Sequence, residues 1–219
     1  MATIDSNGCI PILEYVPIQS EFQGVITETV SQLIQLFQTK LHSVYVYGSV
    51  AKGRAVPKQS DLDLCVILTC SMTSSENIKL AELQEYLAAQ FHQVSKIDFD
   101  IGVYSDVFNE ANLYSWGYWI KHHCRCIYGE DLTVQFMPFS PSKKITEAVN
   151  GDSVEVLNDY IQQITNCTHP NKLKLLQRAA SRKLIRSTDI LRLENDPDWP
   201  ESIEDYVQKY THRYPEQKN

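Results

Sequence analysis

The stretch Tyr45-Val46-Tyr47-Gly48-Ser49 runs an apolar, β-rich segment straight into Gly-Ser, and after eleven intervening residues Asp61-Leu62-Asp63 opens a second apolar segment. This order constrains the chain more than any other feature. Side chains at i and i+2 of a strand share a face, so Asp61 and Asp63 point the same way. A third strand is predicted over Lys96–Tyr104, "KIDFDIGVY", with Asp98 and Asp100 on one face. If the second and third strands pair, three or four carboxylates converge. Like charges at short range resist joint ionisation, and a divalent cation resolves the conflict. Mg²⁺ suits such a site, because it takes hard oxygen ligands, often one or two carboxylates plus substrate phosphates. Two such ions about 4 Å apart clamp the attacking and leaving oxygens of an in-line phosphoryl displacement.

The Gly-Ser turn fits the same chemistry. Gly48 has no Cβ and lets a phosphate approach the backbone. Ser49 offers a hydroxyl and a backbone N–H, and a helix starting there would add its positive end. Lys52 and Arg54 supply mobile cations. No protein nucleophile is required: the site positions and neutralises a triphosphate while an acceptor hydroxyl attacks. Gly-Ser after a strand, or an isolated Asp-x-Asp, is common and says little alone. The ordered set of strand, Gly-Ser, spacer, Asp-x-Asp, helix and acidic strand is what points to nucleotide transfer.

With these motifs in view, "YVYGSVAKGRAVPKQSDLDLCVIL" resembles the nucleotidyltransferase superfamily that includes DNA polymerase β and the aminoglycoside nucleotidyltransferases. The motifs span roughly residues 44–104. The resemblance implies an α+β fold with a mixed sheet and flanking helices, and Mg²⁺-dependent transfer of a nucleoside monophosphate from an NTP, AMP from ATP first among them, with pyrophosphate release. Carried onto this sequence, it implies triphosphate binding by Gly48 and Ser49, with Ser60 beside the first acid, and metal binding by Asp61 and Asp63. It implies a third carboxylate as metal ligand or base, at Asp98 first and Asp100 second. The segment Arg182–Glu216 resembles the C-terminal helices of bacterial proteins akin to streptomycin/spectinomycin adenylyltransferases. Where those enzymes tend to carry a Lys in the turn before the last helices, this chain reads "ENDPDW".

The rest of the chain reads around that centre. Helices are predicted over 21–41, 75–92 and 111–125 from apolar spacing. "MPFSPSKK" carries two prolines and marks a boundary, giving a catalytic domain over 1–137 and a helical bundle domain over 142–219 for acceptor binding or nucleotide closure. Val154, Leu157, Ile161 and Ile164 form one helical stripe there, and Leu173, Leu176, Ala180, Leu184 and Leu191 another. Lys174, Arg178, Arg182 and Arg186 recur every four residues on the opposite face. They read either as a solvated helix face or as a cationic wall toward NTP or RNA, with Arg182 and Arg186 the preferred contacts. The acids from Glu194 to Asp205 read as an acidic loop and helix start, or as an attractor of a polycationic acceptor. Trp116, Tyr118 and Trp119 read as core, and His122, His123, Cys124 and Cys126 lack zinc spacing.

A net charge of −7 argues against a nucleic-acid coat but not against a local basic groove. The first basic residue is Lys40 and none of the six cysteines forms a CxxC pair, so a cytoplasmic protein with reduced thiols and no membrane span is expected. The acceptor stays open: a small molecule such as an aminoglycoside, favoured by the acidic balance, or a protein or tRNA end, as in similar toxin–antitoxin transferases. A homodimer through the helical domain is a further expectation by analogy. The non-enzymatic alternative, a binding module on a degenerate fold, has no reason to keep carboxylates clustered at electrostatic cost.

Overall fold

The computed structural model describes residues 4–217. The chain divides into two compact units, one of residues 12–138 and one of residues 1–11 with 139–219. The first is an α+β unit built on a mixed four-stranded sheet. The second is helical.

In the α+β unit, helix α1 (Ser20–Phe37) leads into strand β1 (Leu41–Tyr47), a single helical turn α2 (Gly48–Ala51) and strand β2 (Leu62–Leu68). Helix α3 (Ser74–Gln90) returns the chain to strand β3 (Ile97–Val103). The strand order is β3-β2-β1-β4, with β2 and β3 parallel and both β1 pairings antiparallel. Two residue types explain the central strands. Val44, Val46, Leu62, Leu64, Val66 and Leu68 alternate onto one face and pack with Phe22, Val25, Leu33 and Leu87 of α1 and α3. The opposite face carries the acids at one end. Helix α3 starts on a capping box, Thr73 with Glu76, and Lys40 pairs with Glu76 at 2.8 Å, so one carboxylate pins the helix start to the turn before β1.

Beyond β3, short α4 (Tyr104–Val107), a 3₁₀ turn, a π turn over Leu113–Gly117 and α5 (Tyr118–His123) follow. The helix predicted over 111–125 is thus broken at both ends. Its last residues enter strand β4 (Arg125–Gly129) instead, which completes the sheet beside β1. The Tyr45 hydroxyl explains why the chain turns there: it donates to the Glu130 carbonyl at 3.0 Å and accepts the Leu132 N–H at 2.8 Å.

The helical unit holds α6 (Lys143–Asn150), α7 (Ser153–Thr165), α8 (Pro170–Ser187) and α9 (Ile203–Arg213). Helices α7 and α8 pack against each other, but the predicted stripes are only partly buried. Leu157, Ile164, Leu173 and Leu176 are half-buried, whereas Val154, Ile161 and Leu184 are more than half exposed. A helix pair shares one seam, and apolar positions off that seam face outward. The "ENDPDW" segment is internally paired. The Arg192 side chain is fully buried, lies over the Trp199 ring at 4.8 Å and donates to the carbonyls of Asp196 and Asp198 at 2.9 and 2.8 Å. Lys209 ion-pairs with Asp189, Asp196 and Asp198, and Arg213 with Asp196. Asp196 and Asp198, read from sequence as part of an acidic loop or attractor, are counter-ions to this unit's own cations.

Candidate active site

Parallel pairing of β2 with β3 sets Asp63 directly beside Asp98 and Cys65 beside Asp100. Asp61 precedes β2 by one residue. The result is a cluster in which one carboxylate oxygen from each of Asp61, Asp63 and Asp98 lies within 4.8 Å of the others. Each acid has a distinct neighbour. The Ser95 hydroxyl donates to Asp61 Oδ1 at 2.5 Å. Lys96 Nζ meets Asp98 Oδ2 at 2.6 Å, and Gln84 Nε2 donates to Asp98 Oδ1 at 3.3 Å. Asp100 is exposed and is held apart by a short hydrogen bond from the Tyr47 hydroxyl. Burial first, and then the Asp100 hydrogen bond, push the Tyr47 pKa far up, so this hydroxyl stays a donor.

Asp63 carries the electrostatic strain of the cluster. Burial, and then the charges of Asp61, Asp98 and Asp100, raise its pKa to about 6. The donor set fits a hard divalent cation: three carboxylates at short range, one of them holding its proton up to about pH 6 unless positive charge arrives.

Gly48 is fixed by this geometry and by its own backbone. Its φ is +69°, and a Cβ at that position would run into the Asp63 carboxylate. The sequence reading assigned the missing Cβ to phosphate approach; the atom that occupies the space is Asp63 Oδ2. A helix does begin at Gly48, but it is one turn long. Ser49 is half-buried on it, and its carbonyl accepts the Arg54 N–H at 2.9 Å. Lys52 and Arg54 are exposed in the loop that follows. The Ser60 hydroxyl accepts the Val56 N–H at 2.9 Å and its carbonyl accepts the Ser95 N–H at 3.0 Å, so Ser60 braces the loop against the start of β3. Arg182 and Arg186 are exposed on α8, in the helical unit.

A model of the nucleotidyltransferase domain matches residues 26–151, more than half of the chain. The chain belongs to the nucleotidyltransferase domain family. Family and acid cluster together support nucleotidyl transfer as its activity. No curated protein sequence matches the chain. Among solved structures, it is similar to spectinomycin adenyltransferase AAD(9) from Enterococcus faecialis with ATP and spectinomycin, at 15% identity and TM-score 0.48, over 85% of this chain and 97% of that one. It is also similar to a toxin-antitoxin with AMP-PNP, at 17% identity and TM-score 0.34, over 65% of this chain and 99% of that one. A third is the toxin-antitoxin MntA-HepT, at 16% identity and TM-score 0.31, over 64% and 99%.

Four residues that contact the acids of this candidate site escaped the sequence reading: Tyr47, Gln84, Ser95 and Lys96. Ser95-Lys96 directly precedes the acidic strand, which is a usable signal, since residues there face the start of a parallel neighbour. Gln84 shares the inner face of α3 with the buried Leu80 and Leu87, with no motif around it. Trp119 packs edge-on to Tyr47 with ring centroids 5.0 Å apart, and Trp116 covers Gly102, where a Cβ would meet both its ring and Ile67 at 2.9 Å. These tryptophans wall the acidic face of the sheet. Among the described residues, no helix is long and apolar enough to cross a membrane.

Proposed function

We propose that this nucleotidyltransferase moves a nucleoside monophosphate, AMP from ATP first among them, onto the hydroxyl of an acceptor, with Mg²⁺ held by Asp61, Asp63 and Asp98. The observation that carries the reading is the convergence of these three carboxylates within 4.8 Å beside Gly48 and Ser49. Bound cations at this position would neutralise the triphosphate and the pyrophosphate that leaves. The chain's own residues do the positioning. Gly48 and Ser49 form the floor for the triphosphate, Ser95 orients Asp61, and Gln84 orients Asp98. Lys52 and Arg54 are exposed and long enough to reach phosphate oxygens from the loop. Asp100, outside the three-acid cluster and exposed, is the group available to orient an acceptor hydroxyl. A small hydroxylated acceptor bearing positive charge, aminoglycoside-like, fits the acidic surroundings.

A second reading has a macromolecular acceptor. The exposed run Lys174, Arg178, Arg182 and Arg186 on α8 favours a polyanion such as a tRNA end. One experiment addresses both. The chain is incubated with α-labelled ATP, GTP, CTP or UTP and Mg²⁺, with aminoglycosides, bulk tRNA or cell lysate as acceptors. Label on one acceptor class, lost in Asp61→Ala and Asp63→Ala, supports the transfer and names the acceptor class. NTP–Mg²⁺ binding that survives both substitutions, with no label on any acceptor, overturns it.

A further inference from the structure

We propose that Lys96 is an exchangeable counter-ion of the acid cluster, a cation that holds Asp98 until a divalent metal takes its place. The proposal rests on the metal reading above, and its test separates the two. Three observations converge. First, Lys96 Nζ lies 2.6 Å from Asp98 Oδ2, an oxygen of the residue that completes the three-acid cluster. An ammonium there and a divalent cation among Asp61, Asp63 and Asp98 would draw on the same carboxylate and repel each other.

Second, the two partners of Asp98 differ in how easily they leave. Gln84 is tied down: its amide also donates to the Ile97 carbonyl, so it fixes the Asp98 carboxylate from the helix side. The Lys96 side chain is 59% exposed and ends a flexible four-carbon stem. It can swing into water while its backbone stays put, because the Lys96 carbonyl accepts the Leu62 N–H at 2.9 Å within the β2–β3 pairing. The anchor is in the sheet and the charge is mobile.

Third, the cluster has a charge deficit that something must cover. Asp61, Asp63, Asp98 and Asp100 lie on two adjacent strand starts, and the neighbours of Asp61 and Asp100 are the neutral hydroxyls of Ser95 and Tyr47. Lys96 is the ion-pair partner the cluster has among the described residues. A metal-free site with this composition keeps its shape because one cation is built in, and it admits the metal because that cation is tethered by one ion pair on the solvent side.

The exchange predicts a gain rather than a loss. Removing the competitor tightens binding of the metal alone. Mn²⁺ is titrated into the full chain and followed by its paramagnetic resonance signal. Lys96→Met is expected to bind Mn²⁺ about fivefold more tightly than the parent, the upper range for a solvent-exposed ion pair. Lys96→Arg retains the charge and is expected to stay near the parent affinity. In thermal melts, Lys96→Met is expected to lose stability without metal and to gain more from Mn²⁺ than the parent does. Unchanged or weaker Mn²⁺ binding by Lys96→Met overturns the counter-ion role. If Asp63→Ala leaves the parent's Mn²⁺ affinity unchanged, the metal reading itself fails, and the Lys96 proposal fails with it.

Discussion

A Cβ on residue 48 would collide with the carboxylate of Asp63, so a side chain in the turn that ends β1 and the acid at the start of β2 exclude each other. Gly48→Ala is expected to displace Asp63 and to force a positive φ on a residue with a side chain, at a backbone cost of about 1–2 kcal/mol. Nucleotidyl transfer should fall at least about a hundredfold, as expected when a reacting geometry shifts by about an ångström. The thermal midpoint should drop by only a few degrees, on the order of what 1–2 kcal/mol gives a chain of this size. Retained activity with unchanged stability would show that residue 48 tolerates a side chain.

Asp98 and Asp100 are separable by their neighbours. Asp98 lies in the three-acid cluster, and Asp100 is bonded by Tyr47 outside it. Asp98→Asn should weaken Mn²⁺ binding by about tenfold or more, the scale of one lost charge at a partly buried site. Asp100→Asn should change it by less than about threefold, as suits an exposed group. Transfer assays on the same pair then report whether Asp100 acts on the acceptor side. Equal effects on Mn²⁺ binding would return Asp100 to the ligand set.

The pH dependence of stability follows from Asp63. Its pKa in the folded chain is about 6, above the usual 3.8, so the folded state binds this proton more tightly than the unfolded state. Stability of the metal-free protein therefore falls as pH rises between those two values and levels off above them. The loss is on the order of 2 kcal/mol once solvent screening at the rim of the cluster is allowed for. Denaturant melts across that window should show it, and Asp63→Asn should flatten the trend. Mg²⁺ should restore more stability above about pH 6 than below it, since protons compete for the same oxygens.

In the helical unit, Arg192 is 2% exposed and serves Asp189 and two backbone carbonyls at once. Arg192→Ala leaves buried acceptors and a buried acid short of a partner. The expected cost is about 3–5 kcal/mol, measurable by denaturant unfolding. A cost under about 1 kcal/mol would mean that Lys209 and Arg213 carry the network without it.

Much of the α+β unit was legible because its signals are local. The apolar runs of β1 and β2, the acids at i and i+2, and the Gly-Ser turn each follow from periodicity or backbone freedom within a few residues. Strand β4 was missed because "HHCRCIYGEDL" drew attention to metal-type residues, while its real signal was the short β-rich run Cys126–Tyr128 ending at Gly129. That run gains strand identity from pairing with β1, a long-range event. Ser95 was missed for the same reason, since it meets Asp61 only through the register between β2 and β3, and Gln84 because it meets Asp98 only once α3 has docked on β3. Lys96, two residues before Asp98, lay within reach of the i and i+2 rule. The buried ion network was hidden because a string of Asp residues looks solvated until the Arg and Lys from distant turns are placed beside it.

The register of β3 against β2 has one more consequence. Asp98 is in place only when the third strand has docked in parallel alignment, and a slip by one residue would turn both of its acids to the other side of the sheet. Any partly folded chain lacking that strand holds two carboxylates and a loose loop, with neither the third acid nor its lysine. A metal bound to these three acids would thus act as a proofreader of folding: its affinity would be highest for chains that have finished building their sheet, and it would hold them there.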